Sequence, residues 1–408
     1  MRRELNFNAM LQLILMSSRF SATIALCSSQ RMSFIFWRRA ALKSFSLTAD
    51  GHVTDSCESI SVEHNPYNIS SAIDLKRPFF PIYYNDVYEV PLPPHHRFPM
   101  KKYRQVRKRV QEQIANIPQS ERTSIYHEFR ISPLVTKEDL TTTHSLEYVE
   151  RYLLGDLTSE EIRNVGFPWS LEGVNRSLSS TGGTVAAAIS ICQARRRQLS
   201  EQNGNDMKPL WSAHVAGGTH HAFEDRGEGF CVFSDIAVAA NVALKLFPDT
   251  IKRILIIDLD VHQGNGNAVL FQDKKEVFTF SMHCSANYFS KKESSDLDIE
   301  LPPDCNDETY LSTCNHWLNR LSRDAGKFDL IFFQAGVDIL SDDRLGRMSI
   351  SQKGLERRNR MVFDVAHKMG VPLCITMGGG YPRKDWAPIL NAHANVYIQA
   401  FDYLLKTV

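Results

Sequence analysis

Residues 254–266 read Ile254-Leu255-Ile256-Ile257-Asp258-Leu259-Asp260-Val261-His262-Gln263-Gly264-Asn265-Gly266. An unbroken run of aliphatic residues marks a strand buried on both faces, as in a parallel sheet covered by helices. In extended chain, residues two apart point to one side, so the spacing predicts that Asp258, Asp260 and His262 project together at the strand's carboxyl end. Two carboxylates and an imidazole crowded into a buried place are costly unless a positive charge neutralises them. A divalent metal ion would supply that charge.

Outward from this run, residues 330–333 and 371–377 have the same character, each apolar and each ending in polar or glycine-rich sequence. Helical periodicity is expected over 101–117, 184–194 and 235–246. Strands alternating with helices predict an α/β fold with a mainly parallel sheet, whose ligands gather in loops beyond the strands' carboxyl ends. Those loops carry Gly217-Gly218-Thr219-His220-His221, the Asp258 to Gly266 run, Ala335-Gly336-Val337-Asp338, and Gly378-Gly379-Gly380-Tyr381. With Asp338 added, two strands offer aspartates and a histidine to one ion with an open fourth position, as catalytic zinc requires. Two carboxylates cancel the ion's formal charge, so further groups must help the chemistry. Of the adjacent histidines His220 and His221, one suits a general base and the other, protonated, an acid or charge stabiliser. Gly379 and Gly380 let backbone approach a ligand, and the Tyr381 hydroxyl suits a developing oxyanion. A second tandem pair, His95-His96 between Pro94 and Arg97, reads as incidental.

Composition narrows the classes further. The chain has 408 residues, 43% hydrophobic and 23% charged, with a formal net charge of +1, which fits a soluble globular protein and supplies no global field for nucleic acid or an anionic membrane. Tyr103, Val106, Val110 and Ile114 form an apolar stripe, and the Lys and Arg on the other face of that helix read as solvated surface. Eight cysteines are scattered without a CxxC pair, so neither a disulfide scaffold nor a zinc-thiolate site is expected. Gly264-Asn265-Gly266 lacks the third glycine of a dinucleotide fingerprint and follows acids that would repel a pyrophosphate. Residues 1–49 set Arg2, Arg3, Arg19, Arg31, Arg38, Arg39 and Lys43 against Glu4 alone, with many serines, the composition of a plastid or mitochondrial transit peptide. A leader over 1–75, either disordered and untargeted or transit-peptide-like, and one catalytic domain over 76–408 are expected.

The four motifs, in this order, resemble the zinc-dependent histone deacetylase superfamily over roughly residues 80 to 405. The class IV branch is suggested by His262-Gln263-Gly264-Asn265-Gly266, by Ala335-Gly336-Val337-Asp338-Ile339-Leu340 with Asp343-Arg344-Leu345-Gly346, and by His96-Arg97-Phe98-Pro99-Met100. The resemblance implies an arginase-like open α/β/α sandwich with Asp260, His262 and Asp338 as zinc ligands. It implies a histidine pair in which Asp258 partners His220 and Asn265 partners His221, and a Tyr381 that polarises the scissile carbonyl. Class I members carry an aspartate where Asn265 stands, so His221 should be less readily held as an imidazolium. Gly229 and Phe230 match one wall of the acyl channel, and Phe289 is the candidate opposite wall, although Tyr288-Phe289-Ser290-Lys291 departs from the family's aromatic-Pro-Gly stretch. Asp258 with Ser281 matches a potassium or sodium site. The implied activity is hydrolysis of Nε-acyl-lysine amides on histone tails or other proteins by a chromatin and transcription regulator of the nucleus or cytoplasm. Two other classes share parts of this pattern: an arginase-type ureohydrolase, which needs two metals and more aspartates, and a non-catalytic acyl-lysine-binding scaffold.

Overall fold

A computed structural model describes residues 73–407 apart from 202–206, 289–290 and 325–326, together with Tyr67 and Ser70. Phe289 and nearly all of the leader expected over 1–75 lie outside the described residues. The strands are β1 (Phe79–Tyr84), β2 (Tyr126–Ile131), β3 (Trp211–His214), β4 (Ile254–Asp258), β5 (Val277–Cys284), β6 (Leu297–Leu301), β7 (Leu330–Gln334) and β8 (Leu373–Thr376). They form one eight-stranded sheet in the order β2-β1-β3-β8-β7-β4-β5-β6, and every neighbouring pair is parallel.

The helices are α1 (Lys102–Asn116), α2 (Gln119–Arg122), α3 (Lys137–Leu140), α4 (Leu146–Leu154), α5 (Ser159–Val165), α6 (Leu171–Glu201), α7 (Asp235–Leu246), α8 (Asn265–Phe271), α9 (Asp307–Asp324), α10 (Gln352–Met369) and α11 (Ala387–Leu405). Side chains of β4 alternate between two cores. Ile254 and Ile256 join Leu330, Phe332 and Cys374 against Val185 and Ile189 of α6 and Ile236 and Ala240 of α7. Leu255 and Ile257 join Ile331, Phe333 and Ile375 against Val106 of α1, Tyr310 of α9, Phe363 of α10 and Ile389 of α11. The result is the expected three-layer α/β/α arrangement with a sheet that is wholly parallel.

The strands expected at 253–258 and 330–333 appear within a residue of those limits, and that at 371–377 is pared to its paired core. The helix expected at 184–194 instead runs for 31 residues from Leu171. Its first half, rich in serine and glycine, has poor intrinsic propensity, and burial of Val174, Ser179, Thr181 and Gly182 overrides it.

The topology decides where chemistry sits. Strands β3, β8, β7 and β4 are consecutive at the sheet's centre, and their carboxyl ends lead into the four motif-bearing loops. Phe333 is fully buried between α10 and the sheet, whereas Leu171 is 65% exposed. Phe333→Ala should therefore cost about 3–5 kcal/mol, and Leu171→Ala within about 0.5 kcal/mol, as read by denaturant unfolding; equal losses would contradict this layering.

Candidate active site

The ladder of β4 stops at Asp258, which lies opposite Gln334 of β7 and Ser281 of β5. Beyond it, carboxylates take up the backbone donors: Asp260 N donates to Asp258 Oδ1 (3.1 Å), His262 N to Asp260 Oδ1 (3.0 Å) and Val261 N to Asp338 Oδ1 (3.0 Å). Short acidic side chains that bond backbone two residues on end a strand rather than extend it. The expectation that Asp258, Asp260 and His262 share one side of a continuing strand is corrected accordingly. Asp258 turns to His220, while Asp260 and His262 meet Asp338.

That second group forms a buried cradle. His262 Nδ1 lies 3.1 Å from Asp260 Oδ1 and 3.2 Å from Asp338 Oδ2, and one ligand atom from each residue falls within 4.8 Å of the others. Asp338 Oδ2 is buried and makes no well-aligned hydrogen bond, His262 Nδ1 being 3.2 Å away. An orphaned carboxylate oxygen facing another carboxylate and an imidazole nitrogen fits a cation, and the O, O, N donor set suits zinc. Gly379 lines the cradle: its N–H donates to Asp260 Oδ2 at 2.7 Å, and a β-carbon there would sit 1.9 Å from Asp338 Oδ2. Burial disfavours the His262 imidazolium, yet Asp260 and Asp338 outweigh it and raise His262 to about 10. Burial, then the Asp260 charge, pushes Asp338 up to about 7.

The histidine pair sits beside the cradle with ring centroids 4.0 Å apart. His220 Nδ1 is 2.6 Å from Asp258 Oδ2, and its Nε2 is 3.9 Å from Asp260 Oδ1. His221 Nδ1 is 2.7 Å from Asn265 Oδ1. The two partners set the rings apart electrically. Burial opposes a charge on His220, but Asp258 and Asp260 raise it to about 9. His221 is held well below the ordinary imidazole value by burial and by the charges of His220 and His262, with only an amide opposite. A neutral His221 that gives its Nδ1 proton to Asn265 Oδ1 has Nε2 as its basic nitrogen.

Tyr381 is nine-tenths buried, and its backbone N–H donates to Asp343 Oδ2 at 2.6 Å. Burial, then Asp338 and Asp260, hold the phenol well above its usual value, so the hydroxyl keeps its proton. Gly218, His220, His221, Gly229, Phe230, Asp260, His262, Gly379 and Tyr381 line one pocket of about 400 Å³. Phe230 adopts φ +67°, strained for an aromatic residue. Backbone bonds from Gly229 N to Asn164 O and Phe230 N to Val165 O, at the end of α5, hold it there. Ser281 is buried beside Asp258, with its hydroxyl 2.9 Å from His283 Nδ1.

Several residues of the site escape a reading of the sequence. Lys102, counted with the solvated basic face of α1, is instead buried, with Nζ donating to Gly380 O at 2.9 Å and lying 5.3 Å from the Tyr381 ring centroid. Burial draws its ammonium down to about 8, against the pull of Asp338, Asp343 and Asp260. Its position four residues before Val106 on the apolar stripe was the available signal. Arg358, fully buried in α10, donates from Nη1 to Leu259 O and Gly336 O, bracing both ligand-bearing loops. Asn287 Nδ2 lies 3.3 Å from His262 Nε2, on the side of the ring away from the cradle carboxylates, where such contacts orient an imidazole. His96, read as incidental, bonds Gly166 O through Nε2 and stacks on Phe167 in the aromatic wall around Phe230.

A profile of the histone deacetylase domain matches residues 96–397. The chain belongs to the histone deacetylase family. It is 39% identical over 318 residues to an uncharacterized protein of Picosynechococcus, covering 78% of this chain and 95% of that one. It is 30% identical over 280 residues to Histone deacetylase 2 of Arabidopsis thaliana, covering 65% and 67% respectively. The acetoin utilization protein AcuC of Bacillus subtilis is 27% identical over 288 residues, covering 65% and 69%. In fold, the chain is similar to the crystal structure of the HDA15 HD domain, with a TM-score of 0.61 at 20% identity, covering 81% of this chain and 89% of that one.

Because Asp260 and Asp338 favour a protonated His262, a divalent ion must compete with that proton. The folded value near 10 lies above working pH, so raising pH removes the competitor. Apparent zinc affinity of the metal-free protein should rise about tenfold per pH unit between pH 7 and 9, measured by chelator competition; a flat profile would contradict this cradle.

Proposed function

We propose that this histone deacetylase hydrolyses Nε-acyl-lysine amides of protein substrates, histone tails among them, with a zinc ion on Asp260, His262 and Asp338. The observation that carries the reading is the orphaned, buried Asp338 Oδ2 within an O, O, N cradle, one pocket wall away from a histidine pair and a protonated tyrosine. Zinc, when bound there, polarises the carbonyl and makes water acidic enough to act as nucleophile at neutral pH.

The chain's own groups supply the rest. His221 Nε2 takes the proton of the attacking water, with Asn265 fixing the ring through Nδ1. His220, kept charged by Asp258, steadies negative charge as it develops and later lends a proton to the departing lysine amine. The Tyr381 hydroxyl donates to the carbonyl oxygen as it becomes an oxyanion. Gly229 and Phe230 flank the extended lysine side chain. Beyond the carbonyl, an apolar pocket lined by Tyr152, Leu157, Phe167, Trp169 and Phe233 shares Phe98, Tyr103, Thr219 and Phe230 with the catalytic pocket, and we assign it to the acyl group. A potassium or sodium ion beside Asp258 and Ser281 belongs to the same proposal, supported by their pairing across β4 and β5. The class IV assignment rests on the motif residues alone.

Family membership sets the ureohydrolase reading aside. The scaffold reading differs in outcome: it expects acyl-lysine binding without turnover at full zinc occupancy. An acyl-length series on one lysine peptide, with and without chelator, tests the proposal. Hydrolysis that stops when zinc is removed supports it; hydrolysis that survives complete removal, or none at full occupancy, overturns it. Tyr381→Phe should lower kcat by about a hundredfold or more while leaving the unfolding midpoint nearly unchanged, and an unchanged kcat removes Tyr381 from the mechanism.

A further inference from the structure

The stretch Thr181-Gly182-Gly183-Thr184 in the middle of α6 and the aspartate that opens α7 have no part in the reaction as written. They meet beneath the loop that carries the two histidines. Asp235, fully buried, accepts four hydrogen bonds: from Thr184 Oγ1 (2.5 Å), Gly218 N (2.9 Å), Thr219 N (2.7 Å) and Thr219 Oγ1 (2.8 Å). Asp235 N donates back to Thr219 Oγ1 at 3.1 Å. Carboxylate and loop therefore grip each other one residue before His220. Past the pair, Asn267 N donates to His220 O at 3.2 Å, and Ser234 Oγ, next to Asp235, donates to Asn267 Oδ1 at 2.7 Å.

The orientation of Asp235 is itself set from behind. His214, buried at the end of β3, places Nδ1 2.9 Å from Thr184 Oγ1 and Nε2 3.0 Å from Ser132 Oγ. Burial, then the Arg176 charge, draws this imidazole down to about 3, so it is neutral and owns one N–H. A carboxylate cannot donate, so the Thr184 proton points to Asp235. Thr184 Oγ1 must then accept from His214 Nδ1–H, and Nε2 from the Ser132 hydroxyl. One directed chain results: Ser132 to His214 to Thr184 to Asp235. Its closeness explains a glycine in mid-helix, a placement that costs about 1 kcal/mol against alanine: a β-carbon at Gly183 would lie 2.3 Å from both His214 Nε2 and Ser132 Oγ.

We infer that Asp235 is the positioning residue for His220 and His221, and that the buried Ser132, His214, Thr184 chain fixes its carboxylate. A ring displaced by about 1 Å from its productive place can lose a hundredfold in rate, and among the described residues no other side chain grips the turn at Gly218 and Thr219 through so many bonds. The kinetic part of this inference rests on the proposed hydrolysis; the structural part does not.

The test uses the zinc-loaded full chain. Asp235→Asn keeps the shape but turns one acceptor into a donor against Gly218, Thr219 or Thr184, and Thr184→Val removes the hydroxyl at constant size, while Thr184→Ser restores it. Expected are a kcat lower by about a hundredfold for Asp235→Asn and about tenfold for Thr184→Val, with KM and zinc content close to those of the unaltered protein and Thr184→Ser near normal. Nitrogen-15 imidazole spectra provide a readout that needs no turnover: His214 should be the Nδ1–H tautomer, and the His220 and His221 signals should move in Asp235→Asn and Thr184→Val. If the unaltered protein hydrolyses nothing, the proposed function fails and the spectra alone decide. Unmoved His220 and His221 signals, or Thr184→Ser losing as much as Thr184→Val, overturn the inference; should Asp235→Asn not fold, the Thr184 pair carries the test.

Discussion

Buried negative charge at the carboxyl ends of β4 and β7 is the constraint to which the rest of the site answers. Asp258, Asp260 and Asp338 are each at least 97% shielded from solvent, where an uncompensated carboxylate is among the costliest groups a protein can hold. Compensation comes first from backbone: Asp260 N, Val261 N, His262 N and Gly379 N all donate to these oxygens. It comes next from two imidazoles, His220 on Asp258 and His262 between Asp260 and Asp338. One oxygen, Asp338 Oδ2, is still left without a well-aligned hydrogen bond. That shortfall lies beside His262 and Asp260, which line the pocket that also holds His221 and Tyr381, and so ties the electrostatics of folding to the site.

Further cations are drawn in at longer range. Lys102 and Arg358 lie on the buried faces of α1 and α10, yet each serves the loops rather than the core: one bonds Gly380 O, the other Leu259 O and Gly336 O. The sheet makes such dryness available. With helices on both faces and four adjacent strands ending together, the loops beyond β3, β8, β7 and β4 are roofed by one another. Gln334, which ends β7, donates to Gly218 O and accepts from Thr376, so even the strand ends are locked to the histidine loop.

The aliphatic run at Ile254 made the central strand legible, and glycine, histidine and aspartate directly after apolar runs made the four loops legible, because those residues are out of place in a strand. What the sequence hid has physical reasons. Strand periodicity could not show that Asp258 ends the ladder, since the carboxylates that stop it bond backbone only in three dimensions. Lys102 and Arg358 occupy apolar stripes, where a single cation looks like noise in the pattern. Asp235 resembles any acid in a helix's first turn, and nothing local marks Asn287, whose role depends on a contact from 25 residues away. The long α6 was underestimated because glycine and serine weaken helix propensity, and the tertiary contacts that override it are invisible along the chain.

Three side chains sharing one ion are the centre of the proposed site, and zinc-edge anomalous diffraction from crystals of the full chain addresses that directly. A single strong peak is expected at about 2.0–2.2 Å from an oxygen of Asp260, an oxygen of Asp338 and a nitrogen of His262. A zinc-replete crystal with no peak there, or with its peak on other residues, would contradict that sharing.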